Sequence, residues 1–312
     1  MSAILLVQAV LLGGPLVWLA LQRTSTPVWA LAAVGAAGLA LLGVALTGFW
    51  IYPPRWALGL VGIPYAMLGY RVWRRREDAL APGALRHAVL LGGVLVWTSL
   101  GGALIWQGLA GRIKPSGDTL DLAAPLVGDG YCVISGGASP VLNFHRETLA
   151  VGKQAYRGQS YGADFIARSP LGFRTTNEQW WRPAPTDPQS YRIFGAPIVA
   201  PCAGEVATAR DGVADQPAGV ADLSAMAGNH VVLSCGGYEV LLAHLRQGSV
   251  SVATGQQIQV GDALGEVGNT GATDEPHLHV SVQRAIGSTP SFGGDPVHLT
   301  FNGRYLARGD CL

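Results

Sequence analysis

Four apolar stretches fill the first third of the chain, and a polar, glycine-rich pattern follows them. The stretches run over about 3–21, 28–51, 56–70 and 87–109. A helix that crosses a bilayer needs roughly 20 mostly apolar residues, which the first, second and fourth stretches supply. The third is shorter and contains Pro64, which is typical of a kinked span or a re-entrant segment. Residues 1–110 are therefore predicted to form a transmembrane region with three to four helices in a lipid bilayer.

Basic residues between the third and fourth stretches predict the orientation of these helices. Five of the seven arginines in residues 1–110 lie there: Arg71, Arg74, Arg75, Arg76 and Arg86. Loops rich in Arg and Lys stay on the cytoplasmic side, so the fourth helix is expected to deliver residue 111 onward to the extracytoplasmic side. A cleaved signal peptide is not expected, because no basic residue precedes the first stretch and three more stretches follow it.

The charge distribution argues against two classes of function. Residues 1–110 carry a net charge of +5 and the remainder −4, which gives +1 for the chain. Neither part has the basic excess of a protein that binds nucleic acid. No acidic residue lies within a predicted span, so a proton or ion path through the membrane is not indicated.

All four cysteines lie after the last apolar stretch, which agrees with export to an oxidising compartment. Their even number and the lack of a C-x-x-C spacing favour disulfides over a cysteine-rich zinc site. The favoured pairs are Cys202–Cys235, which joins two predicted neighbouring strands, and Cys132–Cys311, which ties the ends of the outer domain together. Four buried free thiols are the alternative.

From residue 125 onward, short β-rich runs alternate with Gly, Pro and Asn, a pattern typical of an all-β domain. The clearest runs are 197–208, 230–234, 238–243, 256–260 and 278–282. The polar, aromatic stretch 169–192 is expected to form a long surface loop near a functional site. Residues 111–124 are predicted to be a linker, and residues 125–312 the extracytoplasmic domain.

The strongest local sign of chemistry is Pro276-His277-Leu278-His279. In a strand, residues i and i+2 point to the same face, so the two imidazoles project together. Such a pair favours a bound cation or a substrate, and a coincidental surface pair is the alternative. His244, at the end of an apolar run, offers a third imidazole for the same site.

Several spaced motifs resemble the lysostaphin-like zinc metalloendopeptidase family in order and spacing. They are Gly228-Asn229-His230-Val231-Val232-Leu233, Ala243-His244-Leu245, Val260-Gly261-Asp262, Val267-Gly268-Asn269-Thr270-Gly271 and Pro276-His277-Leu278-His279. The resemblance covers about 125–310 and is densest over 196–280. It implies an antiparallel β-domain of the duplicated hybrid motif type with a groove over the sheet. It also implies hydrolysis of peptide bonds, with peptidoglycan peptides on the outer face of a bacterial cytoplasmic (inner) membrane as the expected substrate.

The resemblance implies a role for each matching residue. Asp164 and His279 match the family's ligands for Zn²⁺. His244 and His277 match its two catalytic histidines, of which either acts as general base while the other hydrogen-bonds the developing oxyanion. The family's remaining ligand is a His four residues before the Asp. Ser160 stands there in this chain, and a neutral hydroxyl is a poor zinc ligand.

Two interpretations of this departure remain open. In the first, His145 replaces the missing ligand, because it lies in a turn-rich stretch shortly before Asp164, and the chain is an active, multi-pass, membrane-anchored endopeptidase. In the second, no third ligand exists, and the domain binds the cell wall or activates another wall hydrolase. Retention of the other four site residues favours the first. The remaining histidines are expected to be structural or to flank a span: His87, His230 and His298.

Overall fold

The computed structural model describes residues 2–24, 26–51, 53–75, 83–178, 183–285 and 292–312. The chain forms two compact units, residues 1–110 and residues 111–312. Each unit has its own buried apolar core, built from helices in the first unit and from strands in the second.

Four α-helices account for most of the described residues of the first unit. Its helices are α1 (Ser2–Leu21), α2 (Pro27–Thr47), α3 (Leu58–Arg74) and α4 (Ala84–Ala110), one for each predicted apolar stretch. Two of them, α2 and α4, are long and apolar enough to cross a membrane, and Leu5–Leu21 is a shorter apolar helix. Of the predicted cytoplasmic arginine cluster, Arg76 lies outside the described residues.

Small residues bring α2 and α4 close together. Ala33 and Ala37 of α2 are fully buried. A Cβ atom added to Gly101 of α4 would lie 2.5 Å from the backbone carbonyl carbon of Leu39, so no larger residue fits there without moving the helices apart. Close backbone approach through small residues is the usual way in which apolar helices pack in lipid.

The second unit is built on a curled, mostly antiparallel sheet. The strands in the described residues are β1 (Thr119–Leu122), β2 (Tyr131–Ser135), β3 (Ala163–Ala167), β4 (Pro197–Val199), β5 (Gly204–Arg210), β6 (Asn229–Cys235), β7 (Tyr238–Leu245), β8 (Gln257–Ile258), β9 (Ala263–Glu266), β10 (Leu278–Arg284) and β11 (Pro296–Phe301). Nine of these form the main sheet, in the order β1-β11-β10-β7-β6-β5-β8, with β3 joined to β10 and β2 to β3. The other two, β4 and β9, form a small second sheet.

The stretch predicted as a linker contains a strand. Residues 119–122 form β1, which pairs in parallel with β11, and Leu122 is buried in the core of the unit. The prediction of a linker over 111–124 is therefore wrong for this part. The sequence pattern gives no sign of it because the strand is short and its partner lies near the far end of the chain.

Side chains along β10 point alternately to the apolar core and to the opposite face of the sheet, which carries His279. Leu278, Val280 and Val282 are buried in the apolar core. His279 and Ser281 therefore point to the opposite face of the sheet. Two 3₁₀ helices, Phe144–Leu149 and Gln154–Gln159, lie between β2 and β3 in the chain.

The long loop predicted over 169–192 is tied down at both ends, while residues 179–182 lie outside the described part of the chain. Thr175 forms a β-bridge with Tyr191, and both are buried. The side chain of Arg174 is also buried, at 5% exposure. The loop therefore contributes to the interior as well as to the surface.

Both predicted disulfides are confirmed. Cys132 is bonded to Cys311, and Cys202 to Cys235. The first joins β2 to the end of the chain, and the second connects the segment before β5 to the end of β6. None of the four cysteines is free.

Replacing Cys132 and Cys311 together with Ser is expected to lower the free energy of unfolding by about 2–5 kcal/mol, because this bridge closes a very long loop in the unfolded chain. The sequence separation is 179 residues, against 33 for the second bridge. Removing Cys202 and Cys235 is therefore expected to cost less. Urea unfolding of the two variants measures the difference, and a larger loss for the shorter loop contradicts this explanation.

Candidate metal centre

Sheet register places Asp164 beside His279. Strand β10 runs antiparallel to β3, and these two residues are direct partners in that ladder. Asp164 Oδ1 lies 2.9 Å from His279 Nδ1. Two residues that are distant in the sequence thus become neighbours through strand pairing alone.

His145 reaches the same carboxylate from the 3₁₀ helix Phe144–Leu149. Its Nε2 lies 3.3 Å from Asp164 Oδ2, so the two imidazoles approach different oxygens of one carboxylate. The rings of His145 and His279 meet edge to face, with centroids 4.6 Å apart. Ser160, where the resemblance implies a ligand, is fully buried, and its hydroxyl lies 2.6 Å from the carbonyl oxygen of Arg157 and 2.7 Å from Thr148 Oγ1.

The donor set of His145, Asp164 and His279 fits a zinc ion. Their potential ligand atoms all lie within 4.8 Å of one another. Two imidazole nitrogens and one carboxylate oxygen are a common catalytic zinc set. Bond lengths near 2.1 Å in tetrahedral geometry separate neighbouring ligand atoms by about 3.4 Å. The two closest pairs here, at 2.9 and 3.3 Å, are near that spacing.

The second nitrogen of each of these imidazoles also has a polar neighbour. His279 Nε2 lies 3.1 Å from Ser281 Oγ, and His145 Nδ1 lies 3.0 Å from Asn143 Oδ1. A partner of this kind fixes the orientation of a metal-binding ring and its tautomer.

His244 occupies a β-bulge near the end of β7. The pairing of β7 with β6 shifts register between Ala243 and Leu245, so His244 is the extra residue. Its φ is +67°, in the left-handed region that favours glycine. Because of this insertion, Leu242 and Leu245 both pack into the same core although they are three residues apart. The bulge thus releases the imidazole from the core face and turns it towards His277.

The imidazoles of His244 and His277 are neighbours whose planes are tilted by 54°, and each directs Nδ1 to a backbone carbonyl. Their ring centroids are 4.7 Å apart. His244 Nδ1 lies 2.8 Å from the carbonyl oxygen of Thr270, and His277 Nδ1 lies 2.8 Å from that of Glu275. A carbonyl accepts only, so each Nδ1 carries the proton and each Nε2 keeps its lone pair. Nε2 of His277 lies 3.6 Å from Asp164 Oδ1.

Burial and mutual charge shift the pKa values of this cluster. Burial opposes ionisation of Asp164, but His145 and His277 more than offset it and hold its pKa well below its ordinary value. Burial lowers the pKa of His145, yet Asp164 reverses this effect and raises it. Burial lowers the pKa of His279 to about 4, and burial together with His277 lowers the pKa of His244 well below its ordinary value. At neutral pH, therefore, His244 and His279 are neutral and Asp164 is a carboxylate.

The other histidines lie apart from this group. His230 is buried in β6, with Nδ1 2.8 Å from the carbonyl oxygen of Gly228. His298 of β11 stacks on Tyr161, with ring centroids 4.0 Å apart. In the first unit, His87 meets Trp29 edge to face. The potential metal-ligand group found in the described part of the chain includes none of them.

A buried ion pair supports the turn that carries His277. Arg174, from the long loop, donates from Nε to Glu275 Oε2 at 2.9 Å, and both side chains are less than a tenth exposed. The carbonyl of Glu275 accepts from Thr273 Oγ1 at 2.7 Å and lies 2.8 Å from His277 Nδ1. The predicted functional loop therefore contacts the site through Arg174.

The sequence analysis assigned no role to four residues around the cluster: Asn143, Thr270, Glu275 and Ser281. Ser281 carried a usable signal, since it lies two residues after His279 and so shares its strand face. Thr270 and Glu275 contribute backbone carbonyls, which any residue type supplies. Their role therefore has no signal in the sequence and is visible only in the folded structure.

Comparison with known proteins identifies the family that this region resembles. Residues 191–298 match the family model described as Peptidase family M23, which confirms the resemblance to lysostaphin-like peptidases and supports a peptidase. The matched segment includes His244, His277 and His279 but neither His145 nor Asp164. No curated protein matches the chain.

Similar solved structures include a zinc-containing peptidase from Vibrio cholerae, at 19% identity, covering 56% of this chain and 40% of that chain with a TM-score of 0.30. The catalytic domain of a prophage-encoded M23 protein from Enterococcus faecalis has 17% identity, coverages of 54% and 92%, and a TM-score of 0.32. Lysostaphin from Staphylococcus simulans has 18% identity, coverages of 42% and 40%, and a TM-score of 0.26. The chain thus spans less than half the length of the Vibrio cholerae peptidase, and TM-scores this low transfer no residue roles.

Replacing Arg174 with Met is expected to lower the free energy of unfolding by about 3–5 kcal/mol, because it leaves the carboxylate of Glu275 buried without its partner. The matched control is Arg192→Met, whose partner Glu178 is 37% exposed in its side chain. That loss is expected to stay below about 1 kcal/mol. Urea unfolding compares the two variants, and equal losses contradict the argument from burial.

Proposed function

We propose that the second unit is a zinc-dependent endopeptidase that hydrolyses peptide bonds, with His145, Asp164 and His279 as its metal ligands. The observation that carries the proposal is the convergence of the two imidazoles on opposite oxygens of Asp164, at 3.3 and 2.9 Å. The match to Peptidase family M23 supports the reaction class. A bound zinc ion polarises a scissile carbonyl and lowers the pKa of its water to about 7.

His244 and His277 handle protons beside that centre. Each offers Nε2, because each Nδ1 is held by a backbone carbonyl. One of them, neutral, would accept the proton of the attacking water at Nε2. The other would hydrogen-bond the developing oxyanion from Nε2, which requires that it first take up a second proton from solvent. The neutral state of His244 suits it to accept a proton.

The substrate, the fold type and the location are part of the same proposal. Peptidoglycan peptide is the substrate that a peptidase of this family would meet outside a bacterial cytoplasmic membrane. The mostly antiparallel sheet is compatible with the duplicated hybrid motif type. Helices α2 and α4 are long and apolar enough to anchor the chain in a bilayer, and with α1 and α3 they would make it a multi-pass protein with its second unit extracytoplasmic.

A cell-wall-binding or hydrolase-activating domain without catalysis is the second candidate. The observation behind it is Ser160, which stands where the resemblance implies a histidine ligand and whose hydroxyl donates to the carbonyl oxygen of Arg157 at 2.6 Å. Zinc stoichiometry separates the two candidates, since a binding domain of this kind needs no metal.

The full chain, purified in detergent, is expected to hold one zinc per molecule. His145→Ala, Asp164→Ala and His279→Ala are each expected to lose it, because two remaining protein ligands bind the ion too weakly to retain it. His230→Ala, which alters a buried histidine outside the cluster, is the control and is expected to keep the metal. Elemental analysis after dialysis measures the content. Zinc retained in His145→Ala contradicts the assignment of the third ligand, and no zinc in the unchanged chain favours the binding domain.

The variants His244→Ala and His277→Ala are expected to keep zinc and lose hydrolysis. Each removes a positioned proton-transfer group, an effect typically worth 10²–10⁴-fold in rate. Release of amino groups from purified peptidoglycan, followed at neutral pH, measures the rate, and elemental analysis checks that the metal remains. Full activity in either variant removes that residue from the mechanism.

A further inference from the structure

We propose that Asn143 is a positioning residue that orients His145 for metal binding, and that this arrangement lets the chain form a metal site without a histidine at position 160. The inference rests on the proposed function of the cluster. It concerns a residue that acts on the metal site only through the imidazole of His145.

The side-chain oxygen of Asn143 faces His145 at two points. Oδ1 accepts a hydrogen bond from the backbone N–H of His145 at 3.1 Å and lies 3.0 Å from its ring Nδ1. An amide oxygen only accepts, so Nδ1 of the ring must carry the proton. Nε2 then presents its lone pair towards Asp164, which is the state that a metal ligand requires.

The other end of the amide fixes this orientation. Nδ2 of Asn143 donates to the carbonyl oxygens of Gly137 and Gly162, at 3.2 and 3.1 Å. Only the amino group can donate to two carbonyls, so the oxygen is the atom that faces the ring. Asn143 is fully buried, and Gly162 lies two residues before Asp164. One side chain therefore joins the segment of His145 to the segment of Asp164.

Ser160 belongs to the same support. Its hydroxyl lies 2.7 Å from Thr148 Oγ1 and 2.6 Å from the carbonyl oxygen of Arg157. Thr148 Oγ1 in turn donates to the carbonyl oxygen of His145 at 2.7 Å. The position where the family has a ligand is thus filled by a small hydroxyl that contacts the helix of His145.

A purely structural role for Asn143 gives a different expectation. Asn143 is also the N-cap of the 3₁₀ helix Phe144–Leu149. Serine is as good an N-cap as asparagine, but its shorter side chain does not reach the imidazole. Asn143→Ser therefore keeps the cap but removes both the contact with the ring and the two bonds from Nδ2. Asn143→Asp loses the same two bonds but keeps an acceptor oxygen at the ring, so the comparison of these two variants separates the roles.

The experiment measures zinc affinity of the full chain by competition with a chelator, together with the midpoint of thermal unfolding of the metal-free protein. Asn143→Ser is expected to lower zinc affinity 10- to 100-fold, the usual effect of removing a partner behind a metal-binding imidazole. The thermal midpoint is expected to fall in Asn143→Ser and in Asn143→Asp alike, because in both variants the carbonyls of Gly137 and Gly162 lose their donor. Asn143→Asp is nevertheless expected to bind zinc more tightly than Asn143→Ser, because it keeps the acceptor at the ring. Asp187→Ser, at the N-cap of the 3₁₀ helix Pro188–Ser190, is the matched control and is expected to change neither value.

A double variant tests whether Asn143 acts through His145. In a His145→Ala background, Asn143→Ser is expected to lower the residual zinc affinity no further, because the ring that it orients is gone. Unchanged affinity in the single variant, or the same fold-loss in both backgrounds, overturns this inference alone. If the unchanged chain binds no zinc, the proposed function itself fails and this inference fails with it.

A second variant keeps the test possible if Asn143→Ser does not fold. Asn143→Asp keeps the acceptor oxygen and is expected to retain more zinc affinity than His145→Ala. Equal zinc affinity in these two variants overturns the inference.

Discussion

The second unit depends on the register of β10 with the three strands that pair with it, β3, β7 and β11. The same register buries Leu278 and Val280 in the core and sets His279 opposite Asp164. A shift by one residue would turn every side chain of the strand to the other face, so the imidazole would enter the core and the leucine would enter the site. Formation of the core and assembly of the ligand cluster are therefore one event. The apolar residues of β10 specify the site as firmly as its histidines do.

A single carboxylate organises the charges of this cluster. Asp164 is close to three imidazoles, those of His145, His277 and His279. Its negative charge offsets the cost of burying positive charge beside it, and so keeps His145 basic while the more distant His244 stays neutral. Burial outweighs the same carboxylate at His279, whose pKa is lowered to about 4 although its Nδ1 lies 2.9 Å from Asp164 Oδ1. Neutral imidazoles at His244 and His279 are the forms that a proton acceptor and a metal ligand require.

Features that depend on local periodicity could be predicted from the sequence. The four helices follow from the apolar stretches, and the shared face of His277 and His279 follows from the period of a strand. Features that depend on distant partners could not be predicted in this way, such as strand β1 within 111–124. The approach of His145 to Asp164 was reached only as one of two alternatives, because short 3₁₀ helices have little side-chain periodicity. Its role as a ligand stays a prediction, and the family match does not extend to it.

The left-handed backbone at His244 has a consequence for any effort to improve this protein. A non-glycine residue in that conformation costs on the order of 1–3 kcal/mol, which neighbouring structure must offset. Glycine or asparagine would adopt the same φ of +67° more readily. Selection of random variants for heat resistance alone would therefore enrich those residues at this position and discard the imidazole. Screens for robust variants of this chain need a functional filter from the first round.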